Sequence, residues 1–416
     1  MLPWLELSVF RWASISFLFA LAASTGFVPL AWSYATGNYS WAVAVSDDGR
    51  YVIAGSDDMH TYFFESDARQ GLPTWIHSAQ GYVRHVAISS NGTDAASSDT
   101  AGNVYFFQLG ASGSPAWSFN SGSAIGAIEL SSDGSRLVAG DREGNIYLFD
   151  TLRSGSPIWH GAIRGAILAL SVRTSGELVA TSAVGGIYFY DLALPQSSYV
   201  WKFQESISFP QLEISNAEGY IVAGGSDGNV YVINTAGELV DKQRLGGSIS
   251  ALSISDQPRH VIAGSTNGNV TRFLVKESLE QLDSFDAQKP ITAVTISHDG
   301  ERIMIASLDG TISTFTQTLT HSLWTFGTGA IVHSLSMSGN GLITAASADT
   351  GKVYVFNEAA TAPAQSPLPP IAYAPIAVTL LVLGYFVLRK KRNALKVDSC
   401  RGKALFDTPW SYTQVR

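Results

Sequence analysis

The sequence predicts an all-β chain made of eight four-stranded antiparallel units, and three observations carry that prediction. A stretch such as Ser131–Asp150 holds two strand-like runs, Arg136–Gly140 and Asn145–Phe149, each preceded by a turn signal. It recurs with an opening serine at Ser46, Ser89, Ser131, Ser215, Ser255, Ser297 and Ser338, with Arg173 at the eighth position. These positions lie 40–43 residues apart. A tryptophan is phased as tightly: Trp32, Trp75, Trp117, Trp159, Trp201 and Trp324 each stand 14 residues before their serine register, and Asp241 and Asp283 take that place in the other two units. Side chains alternate with period two, Val104 and Phe106 against Tyr105 and Phe107, which excludes helical repeats. Four short strands in about 42 residues are the pattern of a β-propeller blade, so eight registered units predict an eight-bladed β-propeller over residues 30–357.

At the N-terminus, Arg11 precedes the apolar run Ile15–Ala23, and Ala20, Ala22, Ala23 and Ser24 follow as a small-residue cleavage zone. Residues 1–24 are therefore expected to be a signal peptide, with an uncleaved anchor extending to Trp32 as the alternative. The strands of each unit then follow in order. One begins at the tryptophan. The next ends at the phased serine, as in Trp41–Ser46. The third is of the Tyr51–Ser56 type, and the fourth of the Asn103–Phe107 type. The fourth strand closes at a phased apolar position, Phe64, Phe107, Phe149, Tyr190, Ile233, Phe273, Phe315 or Phe356.

These residues resemble the WD40 and quinoprotein-like (PQQ-like) repeat propellers. The inner-strand-and-turn run Ala127–Gly134, repeated at Ala293–Gly300, is WD40-like. Phe149-Asp150 and Tyr190-Asp191 stand where that family carries Trp-Asp, and the family's Gly-His pair is missing. Gly71-x-Pro73-x-Trp75, with its copies ending at Trp117 and Trp159, resembles the Gly-to-Trp segment of PQQ-like repeats. The resemblance implies a propeller. In the WD40-like propellers that these repeats resemble, the strand before each inner strand belongs to the previous blade's outer edge, which implies that the Trp32 strand pairs with Lys352–Phe356, closing the ring and covering an otherwise open sheet edge. The resemblance would also allow quinoprotein dehydrogenase activity, but family members often use a vicinal disulfide beside the cofactor, and Cys400 is the only cysteine here. No cofactor and no metal are expected.

After the repeats, residues 358–370 form a Pro/Ala-rich linker. Ile371–Leu388 is 18 residues without a charge, followed by Arg389-Lys390-Lys391-Arg392. At about 1.5 Å per residue the run reaches roughly 27 Å, enough for one transmembrane helix. The cations mark the cytoplasmic side, so a cell-membrane protein is expected, with the propeller extracytoplasmic and 389–416 a basic cytoplasmic tail. The body between Thr25 and Pro370 carries 17 basic against 31 acidic residues, the tail eight against two. An acidic body excludes nucleic-acid backbones as partners.

No histidine pair, nucleophile elbow or nucleotide loop appears, and the Asp-Gly and Asn-Gly turns are explained by their need for positive φ. The expected function is a non-enzymatic cell-surface scaffold that binds a protein, peptide or glycan. The alternative is an exported enzyme or cofactor-binding propeller using the axial channel. Titratable groups at the channel mouth would favour the alternative; a channel of Ser, Ala and Gly would favour the scaffold. Chemical variety is left to the turns between third and fourth strands, so Asp57, Asp58, His60, Asp99, Arg142 and Glu143 are the candidate binding rim. Sequons at Asn38, Asn91 and Asn269 are candidate glycosylation sites.

Overall fold

The computed structural model describes residues 28–359, apart from 69, 109, 111, 174–177, 184–185, 192–198, 216–218 and 258. The signal peptide, most of the linker, Ile371–Leu388 and the basic tail lie outside the described residues. Among the described residues every regular element is a strand, and the strands form eight four-stranded antiparallel sheets. No helix among them is long and apolar enough to cross a membrane.

We number the blades by their inner strands: Ser40–Val45 (blade 1), Val83–Ile88 (2), Ile125–Leu130 (3), Ile167–Val172 (4), Gln211–Ile214 (5), Ile249–Ile254 (6), Ile291–Ile296 (7) and Val332–Met337 (8). Each inner strand packs against those of its two neighbours, blade 8 against blade 1 included, as an eight-bladed propeller requires. The Trp32 strand, Leu30–Ala35, pairs antiparallel with Lys352–Asn357 and completes blade 8 from the opposite end of the chain.

The phased tryptophans join neighbouring blades. Trp32 of blade 8 packs on Phe64 of blade 1 at 5.0 Å, Trp75 on Phe107 at 4.8 Å, Trp117 on Phe149 at 5.2 Å, and Trp324 on Phe356 at 4.9 Å. The indole N–H donates to an acceptor 34 residues on, in the next blade: Trp32 to Ser66 O at 2.8 Å, Trp117 to Thr151 O at 3.3 Å, and Trp201 to Thr235 O at 2.8 Å. At the last junction the acceptor is a side chain, Glu358 Oε1, at 2.9 Å from Trp324 Nε1. Glu358 is also held by Arg302 at 2.9 Å. Trp32, Trp75 and Trp324 are buried; Trp117, Trp159 and Trp201 are half-buried. Gly71 shows why the motif carries glycine. Its φ is +59°, and a Cβ there would stand 2.9 Å from the Trp32 ring. The two degenerate units differ: Asp241 accepts the Leu279 N–H of the next blade at 2.8 Å, a polar join, whereas Asp283 binds Arg272 of its own blade at 2.7 Å.

Candidate functional site at the channel mouth

Residues three and one before the phased serine are large and apolar, as in Val43 and Val45 or Leu252 and Ile254, and they pack into the core between blades. Residues four and two before it are small or polar, and in blades 5 to 8 they line the axial channel, where a cavity of about 420 Å³ lies. The channel wall is therefore one face of a period-two alternation. Most of these residues are Ala, Ser or Thr; the exceptions are His85, Glu129, Gln211 and Glu213.

Five residues before the serine, the chain bulges in blades 1, 2, 3, 4, 6, 7 and 8, where the pairing of inner with second strand skips one residue. A bulge re-aims its side chain. Here the bulged residues are Trp41, Arg84, Gly126, Leu168, Ser250, Thr292 and His333. Three of them form one stack across blades 8, 1 and 2. His333 lies on Trp41 with ring centroids 3.9 Å apart, and the Arg84 guanidinium covers the Trp41 ring at 4.5 Å. Carboxylates hold both ends: Asp349 pairs with His333, and Asp57 takes Arg84 through two bonds of 3.2 and 3.0 Å. A cation over an indole face is attracted by the ring quadrupole, and the bidentate carboxylate fixes the guanidinium plane. Around the stack Tyr39, Met59 and Tyr82 are 48%, 43% and 42% exposed, large apolar surfaces left in solvent. Met59 holds a φ of +67°, costly for a residue with a side chain, and stands at the tip of its turn.

The turns share this rim with the loops leading into the inner strands: Thr100 N donates to Tyr82 O at 3.0 Å, and Asp57 N to Tyr39 O at 2.9 Å. The predicted rim residues fall into two groups. Asp57, Asp58 and Asp99 are consumed by structure. Asp58 accepts from Gly37 N and Tyr62 Oη, each at 2.6 Å. Asp99, buried, accepts from Gly81 N at 3.1 Å, Asn103 N at 2.9 Å and Tyr105 Oη at 3.0 Å. Burial first, then the Asp99 charge, pushes the Tyr105 hydroxyl up to about 12, so it stays a donor. The second group keeps its polar atoms toward solvent: Arg142 and Glu143 are exposed and His60 is half-exposed, with Nδ1 2.8 Å from the Asp58 carbonyl. Asn38 and Asn91 are exposed, whereas Asn269 is half-buried within a strand. Trp41, Arg84 and His333 are not among the predicted rim residues; their shared register five before the serine is the signal in the sequence that marks them.

A family model for PQQ-like repeats, described as outer membrane protein assembly factor BamB, matches residues 100–313, half of the chain. The chain belongs to this PQQ-like repeat family. A second model, the WD domain G-beta repeat, matches residues 35–65 of the PQQ-like propeller. No curated protein matches it. Among solved structures the PQQ-like propeller resembles Sqt1 of Saccharomyces cerevisiae, with 14% identity and a TM-score of 0.69 over 79% of this chain and 99% of that one. Sqt1 of Chaetomium thermophilum, solved with the N-terminus of a ribosomal protein bound, gives 14% identity and a TM-score of 0.69 over 80% and 100%. A computationally designed protein, Ika8, gives 20% identity and a TM-score of 0.68 over 79% and 99%. At these identities the likeness is one of fold. At the opposite end of the channel in the PQQ-like propeller the turns of blades 6, 7, 8 and 1 are joined by backbone: Asp256 N donates to His298 O, His298 N to Gly339 O and Gly339 N to Asp47 O, each at 3.0 Å.

Proposed function

We propose that this propeller is a non-enzymatic, cell-surface scaffold that binds a protein segment at the bulged mouth, over blades 8, 1 and 2. The observation that carries this reading is the Asp349–His333–Trp41–Arg84–Asp57 stack ringed by exposed Tyr39, Met59 and Tyr82. Tyr, Trp and Arg held rigid at the centre of a surface are the residue types that dominate protein–protein binding energy. The loops around them, with Gly37, Asn38 and Gly81, resemble an adaptable polar rim. A protein of the same fold has been solved holding the N-terminus of a ribosomal protein, which supports a peptide-like partner. His60, Arg142 and Glu143 extend the face across the same rim. The run Ile371–Leu388 with its four following cations supports tethering by one helix, with the propeller outside the cytoplasm.

The test is affinity capture with the body, residues 25–370, followed by substitutions that spare the fold. Tyr39→Ala and Tyr82→Ala are expected to weaken a captured partner by tenfold or more each, and Glu143→Lys to change the salt dependence of its on-rate. Unchanged binding in a Tyr39→Ala/Tyr82→Ala variant that melts normally would overturn the assignment of this face. Charge reversal at Asp57, Asp58 or Asp99 is no test, because these carboxylates hold turns together. For the topology, protease on intact cells is expected to spare a tag at Arg416 and remove one placed near Thr25.

A further inference from the structure

In blades 3, 4, 5 and 8 the residue two before the phased serine has a structural task. Its side-chain oxygen accepts the N–H of the next blade's inner strand, one residue further along. Ser336 Oγ takes Val45 N–H at 2.9 Å, Ser171 Oγ takes Ile214 N–H at 3.0 Å, and Glu213 Oε2 takes Ile254 N–H at 2.8 Å. Glu129 accepts the Val172 N–H in the same way. A serine therefore suffices, and in blades 4 and 8 a serine is what stands there. Glu129 and Glu213 add a carboxyl that the fold does not need. Both side chains stand half-buried on the channel wall, where a carboxylate without a cation is disfavoured.

The wall positions themselves supply no fixed cation. The remaining wall residues at the four-before and two-before positions include no lysine and no arginine. Arg84 is taken by Asp57, and burial, then Arg142 and Arg84, push the wall residue His85 down to about 4, so it is neutral. Burial pushes both carboxyls up to about 8; Glu213 adds to the effect on Glu129, and Asp256, at the lower mouth, to that on Glu213. Glu213 opens on the cavity of about 420 Å³, together with Gln211, Ser253, Thr295 and Ser336 and with His298 and His333 toward its two ends; Glu129 stands on the wall beyond that lining. That volume lies within the range of small-molecule sites, roughly 300–1,000 Å³.

We propose that the axial channel is a binding site for a small organic cation bearing primary ammonium groups, received by Glu129 and Glu213 with the wall hydroxyls and Gln211 accepting its remaining N–H donors. A hard divalent cation fits less well. It asks for six or more oxygen ligands in a compact shell, and no group of three or more candidate ligands stands together among the described residues. An ammonium asks for three acceptors and tolerates a wide spread. On entry each neutral carboxyl gives up its proton to solvent and the carboxylate pairs with the ammonium, so near neutral pH binding releases protons. The rim reading is tested separately: of its stack only His333 borders this cavity, and the exposed Tyr39 and Tyr82 that test the rim do not.

The experiment is calorimetric titration of the full chain in detergent with spermidine, against calcium chloride and sodium chloride at matched ionic strength, in two buffers of different ionisation heat. Expected are saturable binding of spermidine, an observed heat that differs between buffers through proton release, and tighter binding at pH 9 than at pH 6. Glu129→Ser/Glu213→Ser keeps the N–H acceptor that blades 4 and 8 use, and is expected to fold while weakening spermidine at least tenfold. The single variants Glu129→Gln and Glu213→Gln serve if the double variant does not fold. Absence of saturable spermidine binding, unchanged affinity in the variants, or equal saturation by calcium chloride would overturn the proposal.

Discussion

Trp117→Ala measures what one blade junction contributes. The indole of blade 2 lies against Phe106 at 5.1 Å and Phe149 of blade 3 at 5.2 Å, and donates to Thr151 O at 3.3 Å. Gly155 lies beneath it so closely that a Cβ there would stand 2.8 Å from the ring. Truncating a core tryptophan costs about 3–5 kcal/mol. Trp117 is half-buried, which places it at the lower end, about 3 kcal/mol. About 1 kcal/mol of that belongs to the hydrogen bond. Trp117→Phe, which keeps a ring and loses the N–H, should therefore cost clearly less than Trp117→Ala, and Trp75→Ala, whose indole is buried, clearly more. The assay is scanning calorimetry beside urea unfolding followed by two probes, since a ring of repeats can lose one junction before the rest. A drop of about 5 °C is expected for Trp117→Ala, given roughly 2–4 °C per kcal/mol for domains of 150–250 residues and less for a longer one. An Ala variant melting within about 1 °C of the parent, or Phe and Ala variants of equal cost, would refute the view that these indoles join blades.

Three further outcomes are expected. Gly71→Ala, which needs a positive φ and would press on Trp32, should lower stability by about 1–2 kcal/mol from backbone strain alone, read in the same urea curves. Glu129 and Glu213 have folded pKa values raised to about 8 from 4.5, so the folded state holds more protons than the unfolded one. Stability should fall as pH rises from about 4.5 to 8, and Glu129→Ser/Glu213→Ser should flatten that slope; an unchanged slope would mean the carboxyls ionise freely in the channel. Trp41→Ala removes the centre of the mouth stack, and nuclear magnetic resonance should then show His333 and Arg84 side chains with greater mobility while the Trp117 junction keeps its signals.

Much of the architecture could be read from the chain because a propeller blade is a local object. The spacing of Ser131 and its equivalents sets the hairpins, the phase of Trp32 announces a strand without a partner in its own unit, and the Asp-Gly turns place their own bends. The sequence also distinguished the two units with Asp241 and Asp283, though not that Asp241 reaches the next blade while Asp283 is held by Arg272 of its own. The site was not legible in the same way. Trp41, Arg84 and His333 stand in three different repeats, one of them at the far end of the chain, and only ring closure places blade 8 against blade 1. Each sits at a bulge, where one extra residue turns a side chain away from the alternation that the pattern alone predicts. The carboxylates that looked most available, Asp57, Asp58 and Asp99, were drawn inward by Arg84, Tyr62, Tyr105 and backbone N–H groups, because a buried turn must satisfy its own donors. Composition and period thus determined the fold and its order of strands. Which polar groups face solvent, which face the channel and which hold the turns was decided by tertiary contact, since burial and partner geometry depend on the neighbouring blade.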